Sequence, residues 1–589
     1  MHACGIHELP MHASVIYKTI NSKQTRHMIL TVQGDLLVIN QADSTEMKQL
    51  YRIATGHVQR HIANRVKKRN QSNWDGTICY LYNGLYLPAG LWRRVYDLKN
   101  APIPYAVTIN NMMSLFDQTM SVDEFKTFVD KLDTPFDARQ DQIEFAVKAC
   151  QAKKSCYKLG TSYGKTFLCY LISRFLRDSN RLKKADTHDG QHASKSLKTL
   201  MIVPSIHLVD QCYSDMEYYQ QDTWDAANNK PLNVAPFKVY KIHSSAWNAY
   251  KLQDADLVCG TYQSLVNMPA DWFEQFDFVI TDEAHMAPAN SIITVFSHCK
   301  NAAYRLGISG SLPGPETVER LTIEAYIGPM LGEFAVATMK EQGIVCDFAI
   351  KRMILEHKRG TDDDYFNYLK SLWQFDAAGN AVYSPFDDSS LILNAEQHHC
   401  MHNTNANMCI ASIFVNLDMN SIVLCKRRDH VQLLAEQMQA IIDAQHLDKE
   451  VHIIRGDVQL EERKDILSKM EAEPTRHIVI ATIKTLSTGV SVHAIFYAGF
   501  CMLGKSSNVA LQSVGRLLRK HPLKQKAVII DISQKLHCTP SIAEDSKGFK
   551  WIPDSYRYAN YDIRHFGVRK RIYEAERYDV DENVTTFEV

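Results

Sequence analysis

The run Leu159-Gly160-Thr161-Ser162-Tyr163-Gly164-Lys165-Thr166-Phe167-Leu168 decides how the chain is read. An apolar stretch ends near Leu159, a turn-forming segment follows, and Phe167, Leu168, Tyr170, Leu171 and Ile172 then supply the apolar pattern of a buried helix. A Gly-Lys-Thr between a strand and a helix is a phosphate cradle. Backbone N–H groups and the helix N-terminus surround the β-phosphate, the lysine reaches the β and γ oxygens, and the threonine hydroxyl ligates Mg²⁺. Gly160, Thr161, Ser162, Gly164, Lys165 and Thr166 are therefore the expected nucleotide contacts, with Thr166 a magnesium ligand. One departure is visible: Leu stands at 159, where the general pattern has a small residue, and Gly160 comes one place later.

About 115 residues downstream, Asp282-Glu283-Ala284-His285 follows the apolar run Phe276–Thr281. An acidic pair at the C-terminal end of a parallel strand sits where doubly wound sheets hold their ligands. Asp282 is expected to hold Mg²⁺ through its water shell and Glu283 to polarise an attacking water. An Asp-Glu pair alone would read as a helix cap; its distance from the Gly-Lys-Thr favours the chemical reading. From about Phe136 onward, short apolar β-rich runs recur, each followed by a helical pattern: Leu200–Val203, Asp277–Ile280, Ile422–Cys425, Ile478–Ala481 and Ala527–Ile530. Such strands belong to parallel sheets covered by helices on both faces, and the alternation predicts α/β doubly wound domains.

A length of 589 residues calls for several units, and 45% hydrophobic with 22% charged residues is globular usage. No apolar run approaches a spanning helix, the first residues lack a basic segment followed by an apolar one, and the 14 cysteines include no CxxC. A cytoplasmic chain with reduced thiols and no membrane partner is expected. Net charge is zero, yet residues 1–100 carry 13 Lys/Arg against 6 Asp/Glu. A basic N-terminal module on a mildly acidic remainder is a footprint for phosphate-backbone contact, or a solvated basic face. The segments Met28–Val32, Leu36–Ile39 and Thr77–Tyr82, with turn signals at Asp75-Gly76 and Asn83-Gly84, predict that this module is a small α/β unit. The expected division is 1–125, 126–345 and 346–589, with a polar surface loop at 186–198 and a linker plus loop at 357–400 whose acidic runs are solvated. His398-His399-Cys400-x-His402 fits no tetrahedral ligand spacing, so no zinc site is expected there.

The Gly-Lys-Thr and DEAH pair resembles the superfamily 2 helicases, and further motifs follow in that family's order across roughly residues 136–531. Arg139 and Gln142 resemble the adenine-reading R-x-x-Q element. Pro204, Ser205, Leu208 and Gln211 resemble motif Ia, and Gly260-Thr261-Tyr262-Gln263-Ser264 motif Ib. Ser309-Gly310-Ser311 is similar to motif III, Val423-Leu424-Cys425-Lys426 to motif IV, and Ser487-Thr488-Gly489-Val490-Ser491 to motif V, with Ser491 where an Asp is familiar. Gln512-Ser513-Val514-Gly515-Arg516-Leu517-Leu518-Arg519 matches motif VI. Arg516 and Arg519 are three apart on a helical pattern, so both forks share a face and can stabilise charge on a transferring phosphoryl group. The resemblance implies two tandem RecA-like domains, ATP and Mg²⁺ as cofactors, and Lys165, Asp282, Glu283, Gln512, Arg516 and Arg519 as the hydrolytic set. It further implies Gly489 near the nucleotide, and Pro204, Gln211, Thr261, Gln263, Lys426 and Thr488 against nucleic acid.

Within that superfamily, the variants around Leu159, Ser309-Gly310-Ser311-Leu312 and Ser491 are similar to phage UvsW-type helicases. So are Arg519-Lys520-His521, Asn73-Trp74-Asp75-Gly76 and Leu87-Pro88-Ala89-Gly90-Leu91. That resemblance implies an ATP-driven DNA helicase or translocase on branched DNA, working in fork regression, Holliday-junction branch migration and annealing. In the basic module Lys67, Lys68, Arg69, Arg93 and Arg94 are expected to neutralise phosphates, and Trp74 or Trp92 either stacks on a base or packs in the core. Arg564, His565, Arg569, Lys570 and Arg571 form a second basic cluster, read as a DNA contact or a solvated helix face. Three alternatives stay open at this point: an RNA or RNA–DNA hybrid helicase, a DNA-annealing protein with a regulatory ATPase, and a restriction motor, though no nuclease signature is evident. The oligomeric state is open, and a monomer is compatible with every motif.

Overall fold

In the computed structural model the described residues are all except 1–26, 59–75, 161, 180–196, 221–223, 226–229, 232–235, 243–253, 287–288, 457, 484–492, 506–514 and 516–517. A four-stranded sheet comes first: β1 (His27–Gln33), β2 (Leu36–Gln41), β3 (Tyr86–Pro88) and β4 (Ala106–Asn110), in the order β3-β2-β1-β4. Its strands alternate buried and half-buried positions because one face alone meets a core. That core holds Met28, Leu30, Leu37, Leu87 and Trp92.

Two seven-stranded parallel sheets follow. Lobe 1 is built from β5 (Lys154–Leu159), β6 (Thr199–Val203), β7 (Val239–Lys241), β8 (Leu257–Thr261), β9 (Phe278–Asp282), β10 (Tyr304–Ser309) and β11 (Met330–Phe334), in the order β7-β8-β6-β9-β10-β5-β11. Lobe 2 is built from β12 (Asp347–Glu356), β13 (Ser421–Cys425), β14 (Glu450–Ile454), β15 (His477–Thr482), β16 (Tyr497–Cys501), β17 (Lys526–Lys535) and β18 (Val580–Glu588), in the order β14-β15-β13-β16-β17-β12-β18. The chain thus has the expected fold class, two tandem RecA-like sheets preceded by a small α/β module. The central strands β6, β8, β10, β13 and β15 are buried at nearly every residue, because helices cover both faces.

The helices that shape the site are α1 (Gln140–Gln151), α2 (Lys165–Asp178), α3 (Ile206–Tyr218) and α4 (Val318–Tyr326) in lobe 1. Lobe 2 contributes α5 (Asp363–Ser371), α6 (Ser389–Met401), α7 (Leu460–Ala472) and α8 (Tyr561–Ala575). One apolar cluster runs between the lobes through Val336, Met339, Val345 and Phe348. Where the lobes meet, the Cys346 amide donates to the Leu518 carbonyl at 2.9 Å.

The N-terminal module is locked onto lobe 1. Arg94 binds Glu324 of α4 at 2.5 Å, the Tyr80 hydroxyl meets Thr322 at 2.7 Å, and Leu321 and Ala325 join the module's core. Gly90 allows this approach: a Cβ there would lie 2.1 Å from the Glu324 carbonyl oxygen. Asp35, in the turn after β1, is bound by Lys154 and by Arg305 at 2.8 Å. Burial raises its pKa, but the two cations outweigh that and hold the carboxyl below its ordinary value.

Three readings of the sequence need correcting. Residues 357–400 are not a plain linker: they carry α5, α6 and a small hairpin pairing Gln374–Phe375 with Ala381–Tyr383. Asp362 is fully buried rather than solvated, accepting from His357 at 2.7 Å and His399 at 2.6 Å. In the C-terminal basic cluster Arg569 is buried and bound to Asp531 at 2.9 Å, and His565 is buried as well, which leaves Lys570 and Arg571 outermost.

Candidate nucleotide and nucleic-acid site

A parallel sheet delivers its functional loops at the strands' C-terminal ends, and the expected residues of lobe 1 gather on that rim. Gly160 follows β5, Pro204 follows β6, Thr261 ends β8, Asp282 ends β9 and Ser309 ends β10. Lys426 follows β13 at the same end of the second sheet.

The loop from Gly160 to Gly164 opens α2. Gly164 is the N-cap, with φ +89° and no side chain capping the helix. The first N–H groups of α2 are therefore uncapped by any side chain, the arrangement that binds an anion. Ser162 adopts φ +72° and Glu283 φ +48°, a region that non-glycine residues enter at a cost of about 1–3 kcal/mol. Gly160 is pressed against lobe 1, since a Cβ there would lie 2.5 Å from the Met339 methyl.

Arg139 and Gln142 hold this loop from outside. The Gln142 amide donates to the Tyr163 carbonyl at 2.9 Å and Arg139 donates to the same oxygen at 3.1 Å. Gln142 also accepts from the Arg139 amide at 3.1 Å, and Arg139 pairs with Asp141 at 3.0 Å. The fit is tight enough that a Cβ on Gly164 would sit 2.7 Å from the Gln142 nitrogen.

Lys165 lies 3.3 Å from Glu283, with both side chains largely buried. His285 reaches Ser309 at 2.6 Å, and the Ser309 hydroxyl donates to Glu283 at 3.2 Å. The Gly310 amide donates to the same carboxylate at 3.4 Å. Glu283 is thus tied at once to the lysine, the histidine and the Ser309 loop. Burial pushes its carboxyl up, but Lys165 and His285 more than offset this and hold it well below the ordinary range. Asp282 goes the other way: burial first, then the charge of Glu283, raises it to about 6. The Lys165 and His285 charges act against this rise without cancelling it, so the chemistry of the carboxylate fits a divalent metal, with the Thr166 hydroxyl on the first turn of α2 as the second oxygen donor.

Across the cleft, the Ser162 hydroxyl donates to the Gly515 carbonyl at 3.2 Å. Arg519 lies among Asp215 and Tyr219, at the C-terminal end of α3. Burial lifts Asp215 to about 6, with the Arg519 charge acting against the rise. Farther along, Lys158 joins Glu576 of lobe 2 at 2.5 Å and Glu333 at 2.7 Å.

Not every expected residue stands open. Thr261 is buried and spends its hydroxyl capping the next helix, accepting from the Ser264 amide at 3.2 Å, whereas Gln263 is exposed. The Gln211 side-chain oxygen is buried without a hydrogen-bond partner. Arg94 is consumed by Glu324 and the Pro315 carbonyl, which removes it from the open basic face, while Arg93 stays half exposed beside Asp97. Trp92 is core, packed edge-on against Phe116 and Tyr96. Lys67, Lys68, Arg69, Trp74, Thr161, Thr488, Gly489, Gln512 and Arg516 lie outside the described residues. The site also includes positions the sequence reading passed over. Tyr163 offers the carbonyl that two side chains grip, and His285 bridges Glu283 and Ser309; its signal was its place inside the DEAH run.

Residues 111–313 match the family described as type III restriction enzyme, res subunit. The ATP-dependent DNA helicase uvsW of Enterobacteria phage T4 is 25% identical over 519 residues, which is 86% of this chain and 89% of that protein. The crystal structure of T4 UvsW superposes with a TM-score of 0.43 at 20% identity, covering 95% of this chain and 99% of that one. A fragment of a putative type I restriction HsdR subunit from Vibrio vulnificus gives 0.45 at 14% identity, covering 80% and 72%. The resemblance to UvsW-type superfamily 2 helicases read from the motifs therefore extends along most of the sequence.

Proposed function

We propose that this chain is a nucleic-acid-dependent ATPase that remodels branched DNA, regressing forks, migrating Holliday junctions, and unwinding or annealing strands in phage recombination, repair and replication. The enzyme class follows from the helicase resemblance. The observation that carries the mechanism is the hydrogen bond from Ser162 to Gly515. It joins the loop ahead of α2 in lobe 1 to Gly515 in lobe 2, and supports a nucleotide cleft between the two lobes.

In this reading the uncapped N-terminus of α2 and Lys165 take the β and γ phosphates. An entering phosphate competes with Glu283 for the Lys165 ammonium, now 3.3 Å away. Glu283 is then free to orient water, while its bonds to Ser309 and Gly310 pass its position to the neighbouring loop. Bound Mg²⁺, held by Asp282 and Thr166, would supply charge neutralisation of the phosphate oxygens. Arg516 and Arg519, with Gln512, approach from lobe 2, so hydrolysis requires closure and product release reopens the cleft. Arg139 and Gln142 fix the loop and read the base, with Gly489 beside the nucleotide. Pro204, Gln211, Gln263, Lys426 and Thr488 track the strand, with Thr261 capping the short helix that presents Gln263. Lys67, Lys68, Arg69, Trp74 and Arg93 of the locked N-terminal module meet the duplex. The division at 1–125, 126–345 and 346–589 belongs to the same proposal.

The test is steady-state ATP turnover with no nucleic acid, simple duplex, a fork, a four-way junction and the matched RNA fork. Strongest stimulation by fork or junction DNA supports the proposal. Equal turnover with and without nucleic acid overturns it, and preference for the RNA fork replaces the substrate.

A further inference from the structure

Three side chains converge at the free edge of lobe 2, away from the cleft. β14 is the outermost strand and pairs in parallel with β15, Glu450 standing opposite His477. Side chains alternate along a strand, so Glu450 and His452 share a face, and His477 joins them from the neighbouring strand. His452 Nε2 lies 3.0 Å from His477 Nδ1, and Glu450 Oε2 lies 3.7 and 3.8 Å from the same two nitrogens. The point equidistant from the three atoms is about 2 Å from each, the length of a Zn–N or Zn–O bond.

The surroundings complete the pattern. The His477 ring is 2% exposed, and its Nε2 makes no hydrogen bond but faces Glu473 Oε2 at 3.5 Å. A ligating histidine turns its second ring nitrogen to a carboxylate in this way. Arg476 binds the other Glu450 oxygen at 2.8 Å and reaches Glu473 at 3.4 Å, while Lys469 is engaged with Asp465 at 2.9 Å. The His452–His477 contact is itself a hydrogen bond at 3.0 Å that an ion would replace, whereas Asp362 uses one oxygen for two hydrogen bonds, to His357 at 2.7 Å and His399 at 2.6 Å.

We propose that Glu450, His452 and His477 form a binding site for a transition-metal ion of the Zn²⁺ class, with water as the fourth ligand, stapling the edge strand to the sheet. Two imidazoles and one carboxylate suit Zn²⁺ better than Mg²⁺ or Ca²⁺. Glu450 and His477 open their strands, whereas the cleft lies at the opposite, C-terminal ends, so the ion acts on stability and not on hydrolysis.

The experiment strips the full-length protein with chelator and titrates it with Zn²⁺ and with Co²⁺. Expected are one tight equivalent, a visible Co²⁺ spectrum of four-coordinate intensity without thiolate charge transfer, and a higher unfolding midpoint with Zn²⁺. Glu450→Gln, on a half-exposed position, and His452→Gln, on a partly buried one, should fold normally, keep basal ATP turnover and weaken metal binding about tenfold or more. Absence of binding, a six-coordinate or thiolate spectrum, or affinity unchanged in both variants overturns the proposal.

Discussion

The Ser162 hydroxyl of lobe 1 donates to the Gly515 carbonyl of lobe 2 across 3.2 Å. Ser162 carries φ +72°, so the contact is made by a residue held in a costly conformation. A single hydrogen bond is worth about 0.5–1.5 kcal/mol net, which is roughly a 2- to 12-fold change in an equilibrium. Ser162→Ala should shift the nucleotide-free lobes toward the open state by that factor. Energy transfer between labels on the two lobes measures it; an unchanged distribution would show that this bond does not hold them.

Lys165 and Glu283 neutralise one another, 3.3 Å apart. Lys165→Ala should reduce ATP turnover by about 10³-fold or more, since charge stabilisation at a phosphoryl group contributes on that scale. On the proposed assignment of strand and duplex contacts to other surfaces, DNA affinity should change little. Glu283→Gln should bind nucleotide at least as well as the parent while losing turnover, because Lys165 is then no longer contested. Paired filter-binding and turnover assays check both, and near-normal hydrolysis in either variant removes the mechanism.

Asp282 predicts a pH dependence. Burial and the Glu283 charge raise it to about 6, so below that value it is protonated and attracts no cation. Affinity for the Mg²⁺–nucleotide complex should fall as pH drops through 6 and level off above 7. Binding at pH 6 should release protons, and binding at pH 8 should release fewer. Calorimetry in two buffers of different ionisation enthalpy reads this directly. Asp282→Asn should abolish the difference, which separates Asp282 from Asp215, a second carboxyl raised to about 6.

Legibility in the sequence followed the range of the interaction. Strands such as Leu200–Val203 could be read because burial on both faces leaves a continuous apolar run. β18 (Val580–Glu588) could not: it is an edge strand of mostly polar residues, defined by pairing with Asp347–Glu356 more than 200 residues earlier. The loop around Lys165 and the acidic pair at Asp282 were readable because their chemistry is local. Arg94 was readable as a cation but not as an ion pair, since Glu324 lies 230 positions away. Arg569 misled for the same reason, and Trp92 stayed open between core and base stacking, as composition cannot separate a buried aromatic or guanidinium from one offered to DNA. Glu450, His452 and His477 carry no spacing signal, because strand register brings them together.

Gly90 predicts how tightly the N-terminal module depends on lobe 1. Its missing Cβ leaves room for the Glu324 and Ala325 carbonyls of α4, which an alanine would meet at 2.1 and 2.9 Å. Backbone atoms on both sides cannot yield cheaply, so Gly90→Ala should spread the module from α4 and cost about 1–3 kcal/mol. Limited proteolysis should then release the module faster, and DNA stimulation of turnover should fall more than basal turnover. Equal losses of both would mean the module does not deliver DNA to the lobes.

Arg569 and Asp531 are both fully buried and meet at 2.9 Å, with Tyr573 and Ser533 completing the network. Removing one partner strands a charge in the interior, so Arg569→Met should cost about 3–5 kcal/mol. The adjacent Asp562 carries the opposite expectation. Burial raises it to about 7, so the folded state keeps a proton that the unfolded chain has lost. Stability from this group is complete below about pH 4 and declines as pH climbs through 7. Asn cannot ionise and still accepts from the Gln534 amide, now at 2.8 Å. Relative to the parent, Asp562→Asn should raise the unfolding midpoint of lobe 2 at pH 8, with the gain fading by pH 4. Calorimetric scans at the two pH values decide it, and a variant destabilised equally at both would show that the carboxyl is used charged.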